Sequence, residues 1–235
     1  LSRSAYNSYY GTVAEPEVTI DLQSNRWDLA GEVRELGKAV RALKFKAGST
    51  DYEHVELDAG APATRFRNKG RDLHVEAVHG DIGPLRGAVG LQLTDSDFSA
   101  LGAEAFVPGT STNARSVFFF EELPLGRLKL TFGGRHERTE VGSEGGGAVP
   151  FGAVDPRFGA AQTRTFSGNS GALGAVWSVM PGLALAVNGS YTERAPTYYE
   201  LYANGPHAAT GVYEVGNTAF GKEKSKAVDI ALRMK

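Results

Sequence analysis

The 235 residues carry 25 Lys and Arg against 27 Asp and Glu, a formal net charge of -2, with 30 glycines and no cysteine. Such a balance gives no electrostatic footprint for nucleic acid, and without cysteine there is neither a disulfide framework nor a thiolate metal site. A mean hydropathy of -0.25 leaves a membrane protein open, because a barrel hides only alternate residues in lipid and carries polar loops.

No secretory signal opens the chain at Leu1-Ser2-Arg3-Ser4, and Met234-Lys235 closes it inside an alternating run, so the sequence reads as a piece of a longer protein. Residues 4–10 are polar and aromatic and leave a strand for a loop at Gly11. From 17 to 33 the alternation changes phase: Val18, Ile20 and Leu22 share one face, then Trp27, Leu29, Gly31 and Val33 the other. A bulge near Ser24-Asn25, or a strand emerging from a membrane above Trp27, accounts for that change. Residues 34–37 turn, and 40–48 return with Leu43, Phe45 and Ala47 on the apolar face. Residues 49–68 read as a long connection around Gly60-Ala61-Pro62.

Leu73, Val75 and Ala77 then alternate with Asp72, His74 and Glu76, and after a short turn at 80–84 Leu85, Gly87, Val89, Leu91 and Leu93 form another apolar face. A second long connection covers 95–113. Residues 114–123 read as a strand in which Phe118-Phe119-Phe120 interrupts the alternation and leaves its facing open. Pro124-Leu125-Gly126 turns, Leu128, Leu130 and Phe132 alternate with Lys129 and Thr131, and a Gly- and Pro-rich loop runs from 141 to 161.

Residues 166–192 contain no charge, which a hydropathy window alone would score as a membrane helix. Met180-Pro181-Gly182 marks a turn in the middle, with strict period-two alternation after it. Leu183, Leu185, Val187, Gly189 and Tyr191 point one way, and Ala184, Ala186, Asn188, Ser190 and Thr192 the other. This is a β-hairpin with an apolar and a small or polar face, about ten residues per arm, as a lipid-crossing barrel strand requires. A fourth long loop spans 193–222, and Val228, Ile230, Leu232 and Met234 form the last apolar face.

Short turns therefore alternate with long loops along about ten strands. That order fits an all-β antiparallel transmembrane barrel with short turns on one side and long loops on the other. A soluble sandwich has no reason to keep it. Ten strands with two bare edges do not close in lipid, so further strands are expected outside these residues. Asp72, Glu76, Arg86, Lys129, Arg135, Asp229 and Arg233 fall on the lumen side, where mixed charge is tolerated.

Several stretches resemble the barrel of TonB-dependent outer-membrane receptors. The late segment is Glu193-Arg194-Ala195-Pro196-Thr197-Tyr198-Tyr199-Glu200-Leu201-Tyr202-Ala203-Asn204-Gly205-Pro206-His207, followed by Tyr213-Glu214-Val215-Gly216-Asn217 and Lys222-Glu223-Lys224-Ser225. Ile20-Asp21-Leu22-Gln23, Asp51-Tyr52-Glu53-His54-Val55-Glu56, the Phe98 to Pro108 run and Gly133-Gly134-Arg135-His136-Glu137 precede it in matching order. The resemblance implies a barrel of roughly 22 strands around an amino-terminal plug, in a bacterial outer membrane, importing a scarce nutrient with energy from the TonB complex. On that view residues 1–235 are partial barrel, and the plug and remaining strands lie elsewhere. The branch with zinc and haem receptors is the most similar in flavour, but its His-rich outer loops are missing: the segment from Gly11 to Pro16 has no His. Zinc, haem, a siderophore and a non-metal nutrient all stay open, as does a passive porin or structural barrel.

Among the histidines, His74 and His79 fall on opposite faces and cannot share a metal. His207, beside Pro206 in the long outer loop, is the leading ligand candidate together with Tyr213, Glu214 and Tyr198. Thr197-Tyr198-Tyr199-Glu200 has capping-box spacing and predicts a helical turn there, and Arg194 is expected to pair with acidic residues. No resident cofactor is expected. No G-x-S-x-G, H-E-x-x-H, P-loop or dinucleotide fingerprint is present, and His79, on the apolar side, has no matched Ser, so an enzyme is not expected.

Overall fold

The computed structural model describes residues 1–9, 18–102, 105–207 and 212–234; the Gly11–Pro16 connection lies outside them. The chain runs through β1 (Ser2–Tyr9), β2 (Thr19–Arg34), β3 (Val40–Asp58), β4 (Ala61–His79), β5 (Arg86–Gly102), β6 (Thr110–Leu125) and β7 (Leu128–Ser143). It continues through β8 (Gln162–Met180), β9 (Leu183–Arg194), α1 (Tyr198–Tyr202), β10 (Asn204–His207), β11 (Val212–Val215) and β12 (Glu223–Met234). Nine strands in sequence order followed by β12 form one ten-stranded antiparallel sheet, and β10 and β11 pair separately.

Directly opposed residues of an antiparallel pair share a face, so the register shows which side chains line up across the whole wall. Leu29 opposes Ala47, Ala47 opposes Leu73, and Leu73 opposes Leu93. Further along, Phe132 opposes Leu173, Leu173 opposes Gly189, and Gly189 opposes Val228. Apart from Val18, Ile20 and Leu22, the apolar faces read from the sequence thus fall on one side of one sheet. The same register resolves the Phe118 to Phe120 run: Phe119 opposes Val89 and Gly134 on the apolar side, while Phe118 and Phe120 point into the lumen side. Two glycines on the apolar face lie under aromatic rings, Gly31 beneath Phe45 and Gly134 beneath Phe119, so the rings cover backbone that the glycines leave bare.

The expected phase change in β2 is real, but the bulge near Ser24-Asn25 is not there. β2 pairs with both neighbours without a register shift, so the chemistry changes while the geometry does not. Above Trp27 the outer side chains leave the apolar band, and Val18 and Leu22 are buried on the opposite side. Two predicted long loops are corrected in the same way. Residues 49–68 are the upper halves of β3 and β4, 19 residues each, joined at Ala59-Gly60 with φ of 46° and 85°. Residues 95–113 are mostly β5 and β6, with only 103–109 between them. At about 3.3 Å per residue a 19-residue strand is about 60 Å long, roughly twice what lipid needs. Water on both faces erases the apolar alternation, but Arg67 pairs with Glu53, Lys69 with Asp51 at 3.8 Å, and Ser96 with Asn68 at 2.8 Å, holding the ladder together. The loops at 144–161 and 195–222 are long, as expected.

Lumen-side charges pair among themselves: Lys44 with Glu76 at 3.1 Å, Lys129 with Glu122 at 3.0 Å, and Arg135 with Glu137 and, at 3.0 Å, Gln92. His74 stacks on Phe118 on this side, with ring centroids 5.1 Å apart. His79 lies on the other face at the short-turn rim, where its Nε2 is 3.0 Å from Glu121 Oε2. The Glu121 carboxylate crosses Gly87 to meet it, and a Cβ at Gly87 would stand 2.3 Å from that oxygen.

A Lys at Leu185 or Val187 is expected to cost about 2–4 kcal/mol near the bilayer midplane, and one at Ala186 or Asn188 clearly less. Refolding equilibria in lipid vesicles measure the difference, and equal penalties at both parities would contradict the assigned faces.

Candidate functional site

The long-loop end of the wall is closed on its lumen side by the segment between β9 and β12. α1 is only five residues long, so it depends on packing rather than on its own hydrogen bonds. Leu201 and Tyr202 are buried against Val141 of β7 and Phe166 of β8, and the Tyr202 hydroxyl donates to the Val141 carbonyl at 2.7 Å. A second cluster joins Phe106, Val107 and Ala203, with Phe66, Phe98 and Tyr198 packed against it. Tyr198 stacks on Phe98 at 5.0 Å and 24°. Across β3 and β4 the rings continue through His54, stacked on Phe66 at 4.6 Å and accepting or donating a 2.9 Å bond to the Tyr52 hydroxyl through Nδ1.

The expected capping box forms. Glu200 Oε2 accepts the Thr197 backbone N–H at 2.7 Å and its hydroxyl at 2.8 Å. Arg194 grips both Glu200 oxygens, each at 2.9 Å, and bonds Glu223 at the start of β12 through Nε at 2.9 Å. One guanidinium thus ties the end of β9, the helix and the start of β12 in the planar, two-pronged geometry that makes arginine–carboxylate pairs strong. That guanidinium, helped by the Thr197 donors and opposed by partial burial, holds the Glu200 carboxyl down to about 2. Burial pushes the Tyr198 phenol up.

Backbone bonds knit the rest of the mouth. Asn204 N–H donates to the Phe106 carbonyl at 2.8 Å, Gly216 N–H to Ala203 at 2.7 Å, and Asn217 N–H to Glu200 at 2.8 Å. The Asn204 amide donates to the Arg157 carbonyl at 2.6 Å, and Arg157 in turn donates to the Ala105 carbonyl. Gly205 and Gly216 permit this approach, since a Cβ at either would fall 2.7 Å from backbone atoms of Phe106 or Leu201. Above Gly171 and Tyr191 the β8–β9 ladder ends, and the Glu193 carboxylate takes its place, accepting Asn169 N–H at 2.9 Å and Lys222 Nζ at 2.6 Å.

The four candidate ligand residues all lie in this segment but do not form one cluster. Tyr198 is an aromatic anchor of the packed helix. Tyr213 opposes Pro206 in the β10–β11 ribbon, exposed, with its hydroxyl donating to Asn204 Oδ1 at 3.0 Å. Glu214 opposes Gly205 and is half-buried. His207 ends β10 opposite Val212, and its side chain lies outside the described residues. Among the described residues no three His, Asp or Glu side chains are grouped so as to hold a metal ion. Leu201, Tyr202, Asn204 and Arg157, which shape the mouth, are not legible as site residues; the capping box marks the helix beside them but not their contacts.

A ten-stranded antiparallel wall with one apolar face, and a charge-clamped loop packed on the other face at its long-loop end, is the architecture of part of a transmembrane barrel. The chain belongs to the TonB dependent receptor-like, beta-barrel family, whose model matches residues 2–235, a family of receptors and transporters rather than enzymes. Among solved structures it is similar to the copper transporter OprC, at TM-score 0.73 and 13% identity over 93% of this chain and 40% of that one. It is also similar to the Serratia marcescens hemophore receptor HasR, solved with its hemophore HasA and heme, at 0.73 and 15% over 98% and 38%. The FrpB iron transporter from Neisseria meningitidis matches at 0.69 and 12% over 93% and 34%. The chain spans about two fifths of the length of these proteins, and at such identities the likeness carries the fold.

Because Glu200 sits below its ordinary 4.5, its contribution to loop docking is full above pH 4.5 and fades as pH falls toward about 2. Hydrogen-exchange protection factors in the α1 segment, taken against the intrinsic amide rate at each pH, should therefore hold steady from neutral pH to about 4.5 and then fall. Arg194→Met should show faster exchange already at pH 7, and Tyr202→Phe a loss of about 1 kcal/mol of local protection. Exchange unchanged in Arg194→Met would remove the clamp from the account.

Proposed function

We propose that this chain is the wall and outer mouth of a bacterial outer-membrane receptor that imports a scarce nutrient, with energy delivered by the TonB complex. The supporting observation is the pairing of one apolar outer band over nine strands, β2 to β9 and β12, with a loop segment docked on the opposite face at the long-loop end. In this reading residues 1–235 are one part of a larger barrel, and a plug domain in the same protein carries the contact with TonB. Mixed charges on the lumen wall suit such a plug, since paired side chains present donors and acceptors without a large net field.

The nutrient is a metal ion, haem or a metal chelate, the class suggested by copper for OprC, haem for HasR and iron for FrpB. It meets the mouth at the β10–β11 ribbon, which presents Tyr213 and Glu214 on its two faces and ends at His207, with Tyr198 fixing α1 at its base. A phenol or a carboxylate can each contact a metal complex singly, as a hydrogen-bonding partner or a ligand.

Uptake separates this reading from a passive pore. Cells carrying the full-length protein should take up the radiolabelled nutrient only while the TonB complex works, and uptake that persists at equal rate with that complex disabled would leave a porin. Replacing Tyr213 and Glu214 together by Ala should weaken ligand binding by about tenfold or more without changing the amount of folded receptor, two lost polar contacts of roughly 1 kcal/mol each.

A further inference from the structure

His79 has the Glu121 carboxylate beside it; His136 of β7 has a hydroxyl. It directly opposes Asn169 of β8, and Ser167 is the next residue of β8 on the same face. The imidazole Nδ1 lies 2.8 Å from Asn169 Oδ1, and Nε2 lies 3.3 Å from Ser167 Oγ. An amide oxygen only accepts, so Nδ1 carries the ring proton and Nε2 is left to accept the Ser167 hydroxyl. That is a nucleophile, a base, and a third group that holds the base in the working tautomer. Both β8 members are pinned from behind. Lys222 Nζ donates to the Ser167 carbonyl at 2.6 Å, and Glu193 accepts the Asn169 N–H at 2.9 Å. Arg138, paired with Glu140 at 3.2 Å, directly opposes Ser167 and puts positive charge near the place where an attacked carbonyl oxygen turns negative.

The place of these residues on the wall selects the reactant. His136, Ser167 and Asn169 are all exposed on the outer face. One outward position closer to the short turns, the row across the sheet is Phe119, Gly134, Gly171 and Tyr191. The Phe119 ring covers Gly134, but a Cβ at Gly171 would meet nothing nearer than the Gly133 carbonyl oxygen at 3.6 Å among the described residues. Between Phe119 and Tyr191 the apolar band therefore carries a trough floored by bare backbone, and the trough ends at the His136–Asn169 row. A hydrocarbon chain lying in it has its head at the first polar row. In a membrane lipid the group at that boundary, where the chain leaves hydrocarbon for the interface, is the carboxylic ester.

We propose that Ser167 is a modification site that accepts a fatty acyl group from an ester-linked lipid of the outer leaflet. A bond forms between Ser167 Oγ and the ester carbonyl carbon, and the bond from that carbon to the lipid's alcohol oxygen breaks. The hydroxyl proton passes through His136 Nε2 to the departing oxygen, so the products are an acylated receptor and a lipid lacking one chain. Asn169 is a positioning residue for His136. The site rests on the membrane-spanning arrangement of the wall and not on nutrient import.

The test uses the full-length protein in nanodiscs, with tandem mass spectrometry to map adducts. The probes are hexadecyl fluorophosphonate, phosphatidylethanolamine with deuterated acyl chains, and a diglucosamine lipid with deuterated ester-linked chains. The phosphonate should label Ser167, and a deuterated acyl group should appear there from one lipid or the other, which names the source. His136→Gln should slow both reactions about a hundredfold or more. Asn169→Ala should slow them as well, while Asn169→Asp, which still accepts from Nδ1, should keep them; equal loss in the two removes Asn169 from its assigned part. An unlabelled Ser167, transfer from neither lipid, an adduct on Lys222 instead, or His136→Gln reacting at the wild-type rate overturns the site. Resistance of the folded barrel to detergent at room temperature checks each variant, and should one not assemble, the residue mapped in the wild type decides.

Discussion

Backbone N–H and C=O groups inside hydrocarbon have only each other for partners, and this constraint shapes the whole wall. Each interior strand is paired on both sides, and the register shifts are confined to Val40/Ala42, Glu56/Leu57 and Ser178/Met180, all close to turns. A slip of one residue in any strand would turn its apolar set into the lumen and its charges into lipid. Outer side chains of ten strands agree in register because no strand can be misaligned cheaply. The same constraint leaves β1 and β12 as the two edges of the sheet.

The mouth is organised differently, by local packing and a few charges. Above the lipid band the backbone has water to bond with, so the strands no longer need continuous pairing. There β8 and β9 part, and Glu193 accepts the Asn169 N–H that a strand would otherwise bond. Arg194 performs the complementary task from the neighbouring position, tying α1 to the β9 and β12 ends. Adjacent residues of one strand thus point to opposite sides of the wall, and each fastens a different part of the loop segment.

What could be read from the chain follows the same division. Where two solvents differ, alternation is a strong signal, and the hairpin around Pro181-Gly182, the short turns and the facing of Leu73, Leu91 and Val228 were legible. Where both faces meet water, the signal disappears although the strand persists, which is why 49–68 and 95–113 read as loops. The facing of Phe118 to Phe120 depended on cross-strand register, a property no single strand carries. Thr197 and Glu200 announced their helix because a capping box is local in sequence. Burial of Leu201 and Tyr202 against Val141 and Phe166 is not local, and nothing near α1 in the chain foretold it. The ligand candidates were chosen from loop position and donor chemistry, which place Tyr213 and Glu214 on a ribbon and leave Tyr198 as packing.

The cross-bonding of 105–109, 144–161 and 195–222 also bears on recognition. A mouth assembled from separate flexible segments would have to freeze them each time cargo arrived, and that lost entropy would be subtracted from affinity. Here hydrogen bonds of Arg157, Asn204 and Gly216 already tie the described parts of these segments to one another in the folded chain. If the segment receives a ligand as proposed, encounter needs little rearrangement of this scaffold, and differences in preference between variants should arise from the side chains the ribbon presents, not from how the scaffold beneath them settles.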